Sequence, residues 1–231
     1  MIKAVLWDLD NTVLDFTAAE RASLKRAYAL FGFGECSDEM ADDYARINAL
    51  QWEMLERGEK QLKDVLVDRY RVFLEKYGHD PALAGEFTKE YEAHIPDTLV
   101  FIPGALETLK ALKGKVIQCC ATNGVLAVQE QRLKESGLAD IFDRIYISSA
   151  MGVSKPAKEY FVRILDDLAG IKTDEVLMVG DSLTSDMKGA ANAGIPKCFF
   201  NRKRKETNAD FEIEYMIEDI SEVMSIVEKT R

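Results

Sequence analysis

Five short apolar runs, each closed by polar or turn-forming residues, constrain the fold of this chain more than any other feature of its sequence. Such runs are typical of strands that are buried on both faces of a sheet. Helical patterns lie between the last four runs, at residues 126–134, 160–168 and 185–192. This alternation predicts an α/β fold, with helices covering both faces of a parallel sheet. The predicted strands are residues 3–7, 116–121, 145–147, 175–179 and 197–200.

A long segment after the first run departs from this alternation, because residues 17–96 contain no convincing strand. They contain amphipathic stretches at 19–30, 38–57 and 62–77, and glycines at 32, 34, 58 and 78 end these stretches as helix stops. Residues 95–96 and 102–104 are interpreted as the linker back to the sheet. We therefore expect two domains: an α/β core formed by residues 1–16 and 97–231, and an all-helical domain formed by residues 17–96.

Charge and cysteine content exclude several classes of function. The chain has 40 acidic and 30 basic residues and a net charge of −10. This balance argues against a nucleic acid or an anionic membrane as the main partner, since both require a basic surface. The longest uncharged run, residues 116–129, is too short to span a bilayer. Without a signal peptide or C-x-x-C spacing, we expect a cytoplasmic protein with reduced cysteines, as a monomer or weak homodimer.

Four polar clusters follow four of the predicted strands. Each cluster alone is compatible with an ordinary turn or a capped helix start. In open α/β sheets, however, ligands bind beyond the carboxyl ends of the strands. Together the clusters therefore predict a functional site, in the order acid, hydroxyl, lysine, acid. They are Asp8-Leu9-Asp10-Asn11-Thr12, Thr122-Asn123-Gly124, Lys155-Pro156 and Gly180-Asp181-Ser182-Leu183-Thr184-Ser185-Asp186.

This ordered set of motifs resembles the signature of the haloacid dehalogenase (HAD) superfamily. The resemblance covers the whole predicted α/β core, and the helical insertion is similar to the family's first type of cap. It implies a Rossmann-like core and a Mg²⁺-dependent phosphomonoester hydrolase that acts through a phospho-aspartate. Members that cleave carbon–halogen bonds lack the second aspartate of the first motif and the metal site. Because Asp10 is present here, dehalogenation is not expected.

The residue types suit this chemistry. Asp8 would be the nucleophile, and as an ordinary aspartate with a pKa near ~3.9 it needs no activating base. Mg²⁺ prefers oxygen ligands, which Asp8 and Asp181 would supply. The resemblance adds the backbone carbonyl of Asp10 as a third ligand. The Asp10 side chain, two positions beyond Asp8, could reach the leaving oxygen, protonate it and later deprotonate the attacking water.

Three further residues would stabilise charge on the transferring phosphoryl group. Lys155 would supply a compact positive charge to the phosphoryl oxygens and to Asp8. Thr122 would donate its hydroxyl hydrogen, and Asn123 an amide hydrogen, to the same oxygens. Asp186 is expected to hold Lys155 or a metal-bound water in place.

Substrate choice is expected to lie in the helical insertion, which would cover the strand ends. Asn48 and Trp52 are four residues apart and share a helix face. Trp52 either packs in the core of the insertion or, with Phe16, flanks an aromatic ring whose edge Asn48 would bind. Residues 48–58 and 148–156 resemble the pyrimidine 5′-nucleotidases of the superfamily, which implies a nucleoside monophosphate as the small phosphorylated substrate.

Three alternatives remain open. A phosphomutase or a sugar-phosphate phosphatase would use the same four motifs on the same scaffold. A silent scaffold that only binds a phosphorylated ligand is the non-enzyme alternative. Such a scaffold is expected to have lost at least one of Asp8, Asp10, Lys155 and Asp181, and all four are present.

Overall fold

The computed structural model of the chain describes residues 1–202, 204 and 206–229. These residues form two compact units. One unit contains residues 1–15 and the described residues from 101 onward, and the other contains residues 16–100. The predicted insertion, residues 17–96, lies entirely within the second unit.

The first unit is built on a sheet of six parallel strands in the order β3-β2-β1-β4-β5-β6. The predicted α/β fold with a parallel sheet is confirmed. The last strand was not predicted, because its three residues are too few to show a pattern and only one of them is buried. The strands are β1 (Ala4–Trp7), β2 (Ile117–Thr122), β3 (Arg144–Ile147), β4 (Val176–Gly180), β5 (Lys197–Phe200) and β6 (Tyr215–Ile217).

Among the described residues, the four α-helices of the second unit come first along the chain, and six further α-helices accompany the sheet. The former are α1 (Phe16–Leu30), α2 (Asp38–Glu56), α3 (Leu62–Lys76) and α4 (Ala84–His94). The latter are α5 (Ala105–Leu112), α6 (Leu126–Glu135), α7 (Ser148–Met151), α8 (Lys158–Asp167), α9 (Lys188–Ala193) and α10 (Glu222–Lys229). A single π-helical turn, Leu183–Met187, directly precedes α9. Sequence patterns did not predict α4, α5, α7 or α10.

The apolar stripe of α8 shows how the sheet is covered. Tyr160, Phe161 and Ile164 recur on one helix face and are fully buried. They join side chains from β1, β2 and β4 in one hydrophobic cluster. All four residues of β1 are buried as well, as expected for a strand covered on both faces. Each Å² of apolar surface removed from water contributes about 25 cal/mol to the stability of the fold, so this burial stabilises the central strands.

The helical unit has its own core of aromatic rings. Tyr44 of α2 stacks on Tyr70 of α3 with 5.2 Å between ring centroids, and Tyr91 of α4 lies 5.1 Å from Tyr70. These side chains are fully buried. Ser37 begins α2 by accepting a hydrogen bond from the backbone N–H of Met40. The unit can thus bury apolar surface without a sheet.

The helices and the cysteines can be compared with the sequence expectations of no membrane span and reduced thiols. Within the described residues, every helix is too short or too polar to cross a bilayer. All four cysteines are free thiols and buried: Cys36, Cys119, Cys120 and Cys198.

Candidate active site

The carboxyl ends of three neighbouring strands bring the predicted residues together. β1 lies between β2 and β4, with Trp7 in register with Cys120 on one side and Val179 on the other. Asp8 directly follows β1, Thr122 ends β2, and Asp181 directly follows β4. Because parallel strands end at the same edge of the sheet, these three side chains belong to one site.

Lys155 reaches this edge from the loop between α7 and α8. Its ammonium nitrogen lies 2.7 Å from Asp8 Oδ1, from Asp186 Oδ1 and from the backbone oxygen of Ala121. An ammonium has three hydrogens to donate, and here each has an acceptor. The side chain is 1% exposed. Lys155 is therefore held rigidly against the predicted nucleophile.

Asn123 differs from its predicted role. Its Oδ1 accepts a hydrogen bond from the backbone N–H of Lys155 at 3.0 Å, and its Nδ2 donates to the backbone oxygen of Lys155 at 2.8 Å. The side-chain amide therefore clamps the lysine loop to the end of β2. Nδ2 also donates to Ser185 Oγ at 3.3 Å, so both of its hydrogens have acceptors and the side-chain amide has none left for a phosphoryl oxygen.

Charge interactions at Asp8 also differ from the sequence expectation. Burial raises the pKa of Asp8 well above its ordinary value, repulsion from Asp186 raises it further, and Lys155 opposes both. Burial alone would lower the pKa of Lys155, but Asp186 and Asp8 outweigh it and raise that pKa. Asp8 is thus not ionised as freely as an exposed aspartate, and its ionised form depends on the positive charge near it.

The carboxylates at this edge have a geometry that could hold a metal ion. Oxygens of Asp8, Asp181 and Asp186 lie within 4.8 Å of one another. Asp186 is already bound on both oxygens, by Lys155 and by the backbone N–H of Ser182 at 3.1 Å. Its predicted role in holding Lys155 agrees with these contacts. Asp8 also accepts hydrogen bonds on both oxygens, from Lys155 and from Thr12 Oγ1 at 3.1 Å, so a cation bound to this cluster would share the carboxylate oxygens with these donors.

Gly180 makes this arrangement possible. A Cβ at this position would lie 2.2 Å from Oδ2 of Asp186, which is far inside the van der Waals contact distance of the two atoms. Only glycine lets the Asp186 carboxylate pack against the end of β4. The glycine of the fourth motif therefore leaves the space that the carboxylate of Asp186, six residues later, occupies.

Two side chains at the site, Gln129 and Arg132 of α6, were not predicted. Gln129 Nε2 donates to Asp10 Oδ2 at 2.8 Å and to Thr122 Oγ1 at 2.9 Å. Arg132 forms a salt bridge with Asp10 and donates to Gln129 Oε1 at 2.7 Å. Both side chains are buried. In the sequence, these two residues are marked only by lying three positions apart on a helix that follows the second motif. Solvent-exposed helix residues show the same spacing, so it could not identify them.

The three residues predicted to bind substrate lie in the helical unit, and Asn48 is engaged within it. Its Nδ2 donates to Glu20 Oε1 at 2.7 Å, and its Oδ1 accepts from Arg69 at 3.0 Å. These bonds join α1, α2 and α3, so Asn48 serves helix packing and has its amide oxygen and nitrogen occupied. Phe16 and Trp52 are partly buried, so neither is a fully enclosed core residue.

Fold and site together define a class of protein: an α/β core with a parallel sheet that carries a candidate carboxylate nucleophile, a buried lysine and an acidic cluster at one sheet edge. The model of the haloacid dehalogenase-like hydrolases matches residues 2–194. The chain belongs to this family, as its motifs predicted, and is an enzyme of the hydrolase class.

One relative within the family is similar to this chain over almost its whole length. The chain is 30% identical over 225 residues to the HAD-hydrolase YfnB of Bacillus subtilis, covering 97% of this chain and 95% of YfnB. A crystal structure of YfnB bound to magnesium superposes with a TM-score of 0.92 and covers 98% of both chains.

Two further relatives are pyrimidine 5′-nucleotidases. PynA of Streptococcus pneumoniae is 28% identical to this chain, and the alignment covers 98% of this chain and 95% of PynA. YjjG of Escherichia coli is 29% identical and covers 87% of each chain. Glyceraldehyde 3-phosphate phosphatases also match.

Proposed function

We propose that this protein is a Mg²⁺-dependent phosphomonoester hydrolase that works through a phospho-aspartate. One observation carries the proposal: the Asp8 carboxylate, at the end of the central strand, lies 2.7 Å from the buried Lys155 ammonium and in one cluster with Asp181. A carboxylate can approach a doubly charged phosphate only where positive charge compensates both. Lys155 supplies part of this positive charge and is held in place at the strand edge, and a bound Mg²⁺ would supply the rest.

These positions support a two-step reaction in which the Asp10 carboxyl group starts protonated. An oxygen of Asp8 attacks phosphorus, the bond from phosphorus to the leaving oxygen breaks, and Asp10 gives that oxygen its proton. Asp10 then takes a proton from water, which attacks the phospho-aspartate, releases inorganic phosphate and restores the Asp8 carboxylate. Thr122 Oγ1 accepts from Gln129, so its own hydrogen can be donated to a phosphoryl oxygen.

The donor set fits a magnesium ion. Asp8 and Asp181 offer carboxylate oxygens, and the family resemblance adds the carbonyl of Asp10. The site has four carboxylates, Asp8, Asp10, Asp181 and Asp186, against the two cations Lys155 and Arg132, which leaves two negative charges to be offset. A bound Mg²⁺ would offset them and favour the ionised form of Asp8. The magnesium-bound structure of YfnB supports this choice.

For the substrate we propose a nucleoside monophosphate with a pyrimidine base. The support comes from the two nucleotidase relatives, PynA and YjjG, each matching most of this chain. Sugar phosphates are the competing substrate class, because triose phosphate phosphatases match as well.

A panel of phosphate monoesters tests both parts of the proposal. We expect the purified protein with Mg²⁺ to release phosphate from an aryl phosphate, and to prefer pyrimidine nucleotides to sugar phosphates. Chelation should stop the reaction, and added Mg²⁺ should restore it. Full activity in chelator would overturn the metal requirement, and a preference for sugar phosphates would overturn the nucleotidase assignment alone.

The Asp8→Asn variant tests the nucleophile. The change is nearly isosteric, so the fold should persist while phosphate release becomes undetectable. Asp166→Asn, at an exposed position of α8, is the matched control and should keep parental activity. Substantial turnover by Asp8→Asn with a parental circular dichroism spectrum would exclude Asp8 as the nucleophile.

A further inference from the structure

We propose that Arg132 and Gln129 are positioning residues that hold the Asp10 carboxylate where it can transfer the proton to the leaving oxygen. This inference rests on the proposed function, in which Asp10 is the acid and base. It assigns a role in proton transfer to α6, a helix that contributes none of the motif residues.

Each oxygen of the Asp10 carboxylate has its own donor. Arg132 Nη1 binds Oδ1, and Gln129 Nε2 binds Oδ2 at 2.8 Å. Arg132 Nη1 also donates to Gln129 Oε1 at 2.7 Å. A guanidinium only donates, so the end of the Gln129 amide that faces Arg132 is the oxygen, and the end that faces Asp10 and Thr122 is the nitrogen. The three side chains therefore form one network in which every bond has a consistent direction.

The network links the proton donor to the phosphoryl site. The Gln129 amide has two hydrogens, and it directs one to Asp10 and the other to Thr122 Oγ1 at 2.9 Å. Thr122 ends β2 and Asp10 follows the adjacent β1, so one amide spans two neighbouring strand ends. The distance between the acid and a phosphoryl-binding hydroxyl is thereby set by a single side chain.

Burial makes the network rigid. Arg132 is 1% exposed and Gln129 is 2% exposed. A buried charge is tolerated where it is paired and hydrogen-bonded, so Arg132 is confined to its place beside Asp10. Gly124 leaves room for this arrangement, because a Cβ there would lie 2.7 Å from Gln129 Nε2. Asp10 itself is partly exposed, with 23% of its side chain accessible, and each of its oxygens keeps a further lone pair. Its carboxylate can thus meet a substrate while its direction is held.

Leaving-group basicity gives a readout that a purely structural role would not change. 4-Nitrophenyl and 4-methylphenyl phosphate are similar in size, but nitrophenolate departs without a proton and methylphenolate needs one. We expect Arg132→Met and Gln129→Leu to lower kcat/KM for 4-methylphenyl phosphate by ~10²-fold, the low end of acid–base contributions. For 4-nitrophenyl phosphate the loss should stay within a few-fold. Arg132→Lys, which keeps the charge, should recover part of the loss.

Two comparisons make the result specific. In an Asp10→Asn background, Arg132→Met should add little further loss, because both act through one group. Lys197→Met is the matched control: it removes another buried cation of the same unit, bound to Glu214 at 3.0 Å and located at the amino end of β5. It should affect the two phosphates equally.

Equal losses on both phosphates for Arg132→Met and Gln129→Leu, with parental circular dichroism spectra, would overturn the inference. If instead Asp10→Asn itself lost equally on both, the acid role of Asp10 would be wrong and the inference would fall with it. A parent enzyme inactive on every phosphate monoester would overturn the proposed function.

Discussion

At the scale of single residues, Lys155 shows how closely this site depends on compensating charges. Its ammonium satisfies Asp8, Asp186 and the carbonyl of Ala121 at once. Removal of one partner from a buried pair leaves an uncompensated charge, which costs more than the pair contributes. Changes that move Asp186 should therefore act on Asp8 through the lysine.

Gly180→Ala tests this chain of contacts without changing a charged group. The new Cβ would lie 2.2 Å from Asp186 Oδ2, so the carboxylate must shift, and Lys155 must follow it. Since misplacement by about 1 Å can cost 10²-fold in rate, we expect kcat/KM to fall on the order of 10²-fold. The measurement is steady-state hydrolysis with saturating Mg²⁺. Gly85→Ala, in α4 with no atom within 4 Å of the new Cβ, is the control and should leave the rate unchanged.

At the scale of elements, close packing of two helices depends on a missing side chain. Gly189 of α9 lies against α8, where a Cβ would be 2.4 Å from the Phe161 ring. The same Cβ would lie 3.1 Å from the backbone of Pro156, and the Phe161 ring is fully buried, so it has little room to move. Interiors are packed too densely to absorb such an overlap without strain.

Gly189→Ala should therefore destabilise the protein, although alanine is the better helix former. Overpacking costs about 1–3 kcal/mol, against a propensity gain of up to about 1 kcal/mol. Urea denaturation should show a lower midpoint for Gly189→Ala. The same change at Gly85, also within a helix but in open space, should raise the midpoint or leave it unchanged. A raised midpoint for both variants would contradict the packing of α8 against α9.

The buried strands also determine how the cysteines respond to pH. Burial raises the pKa of Cys119 on β2 and of Cys198 on β5 to about 12 each. In the unfolded chain a thiol titrates near ~8.5, so the unfolded state releases protons first as pH rises. These two thiols therefore contribute stability that is fully present below about pH 8.5 and is lost towards pH 12.

The rate of reaction with a thiol reagent measures the burial of these two cysteines directly. At pH 8 the folded protein should react slowly at Cys119 and Cys198, because their thiols are neutral and buried. All four cysteines should react rapidly in denaturant. Rapid reaction of both strand cysteines in the folded protein would contradict their burial.

At the scale of the whole molecule, the four motifs and the residues predicted to recognise the substrate lie in separate compact units. The four motifs lie in the unit formed by residues 1–15 and the described residues from 101 onward. The candidates for substrate recognition lie in the unit formed by residues 16–100. We propose that the helical unit selects the substrate, with Trp52 as the main candidate, because Trp52 is only partly buried and Asn48 is engaged in helix packing.

Trp52→Leu tests this division of roles and keeps apolar bulk in the helical unit. If the ring stacks on a base, its loss should cost on the order of 1 kcal/mol, a several-fold decrease in kcat/KM for a pyrimidine nucleoside monophosphate. Hydrolysis of 4-nitrophenyl phosphate should change little, since that substrate binds mainly through its phosphoryl group. Equal losses on both substrates would mean that Trp52 supports only the fold.

The amino-acid sequence by itself determined the parallel sheet, the helical insertion and the strand-end motifs. Hydrophobic periodicity is local, and parallel strands must end at one edge, so Asp8, Thr122, Lys155 and Asp181 could be assigned to one site before any coordinates. The three-residue strand β6 escaped this reasoning because it is too short for a period to show.

Only the tertiary structure decided how these residues are held and charged. The raised pKa of Asp8 depends on burial, which no local pattern encodes. The roles of Asn123, Asn48, Gln129 and Arg132 depend on partners 21 to 122 residues away in the chain. Charge and hydrogen bonding act through space over a few ångströms, so they become definite only when folding has brought the partners together.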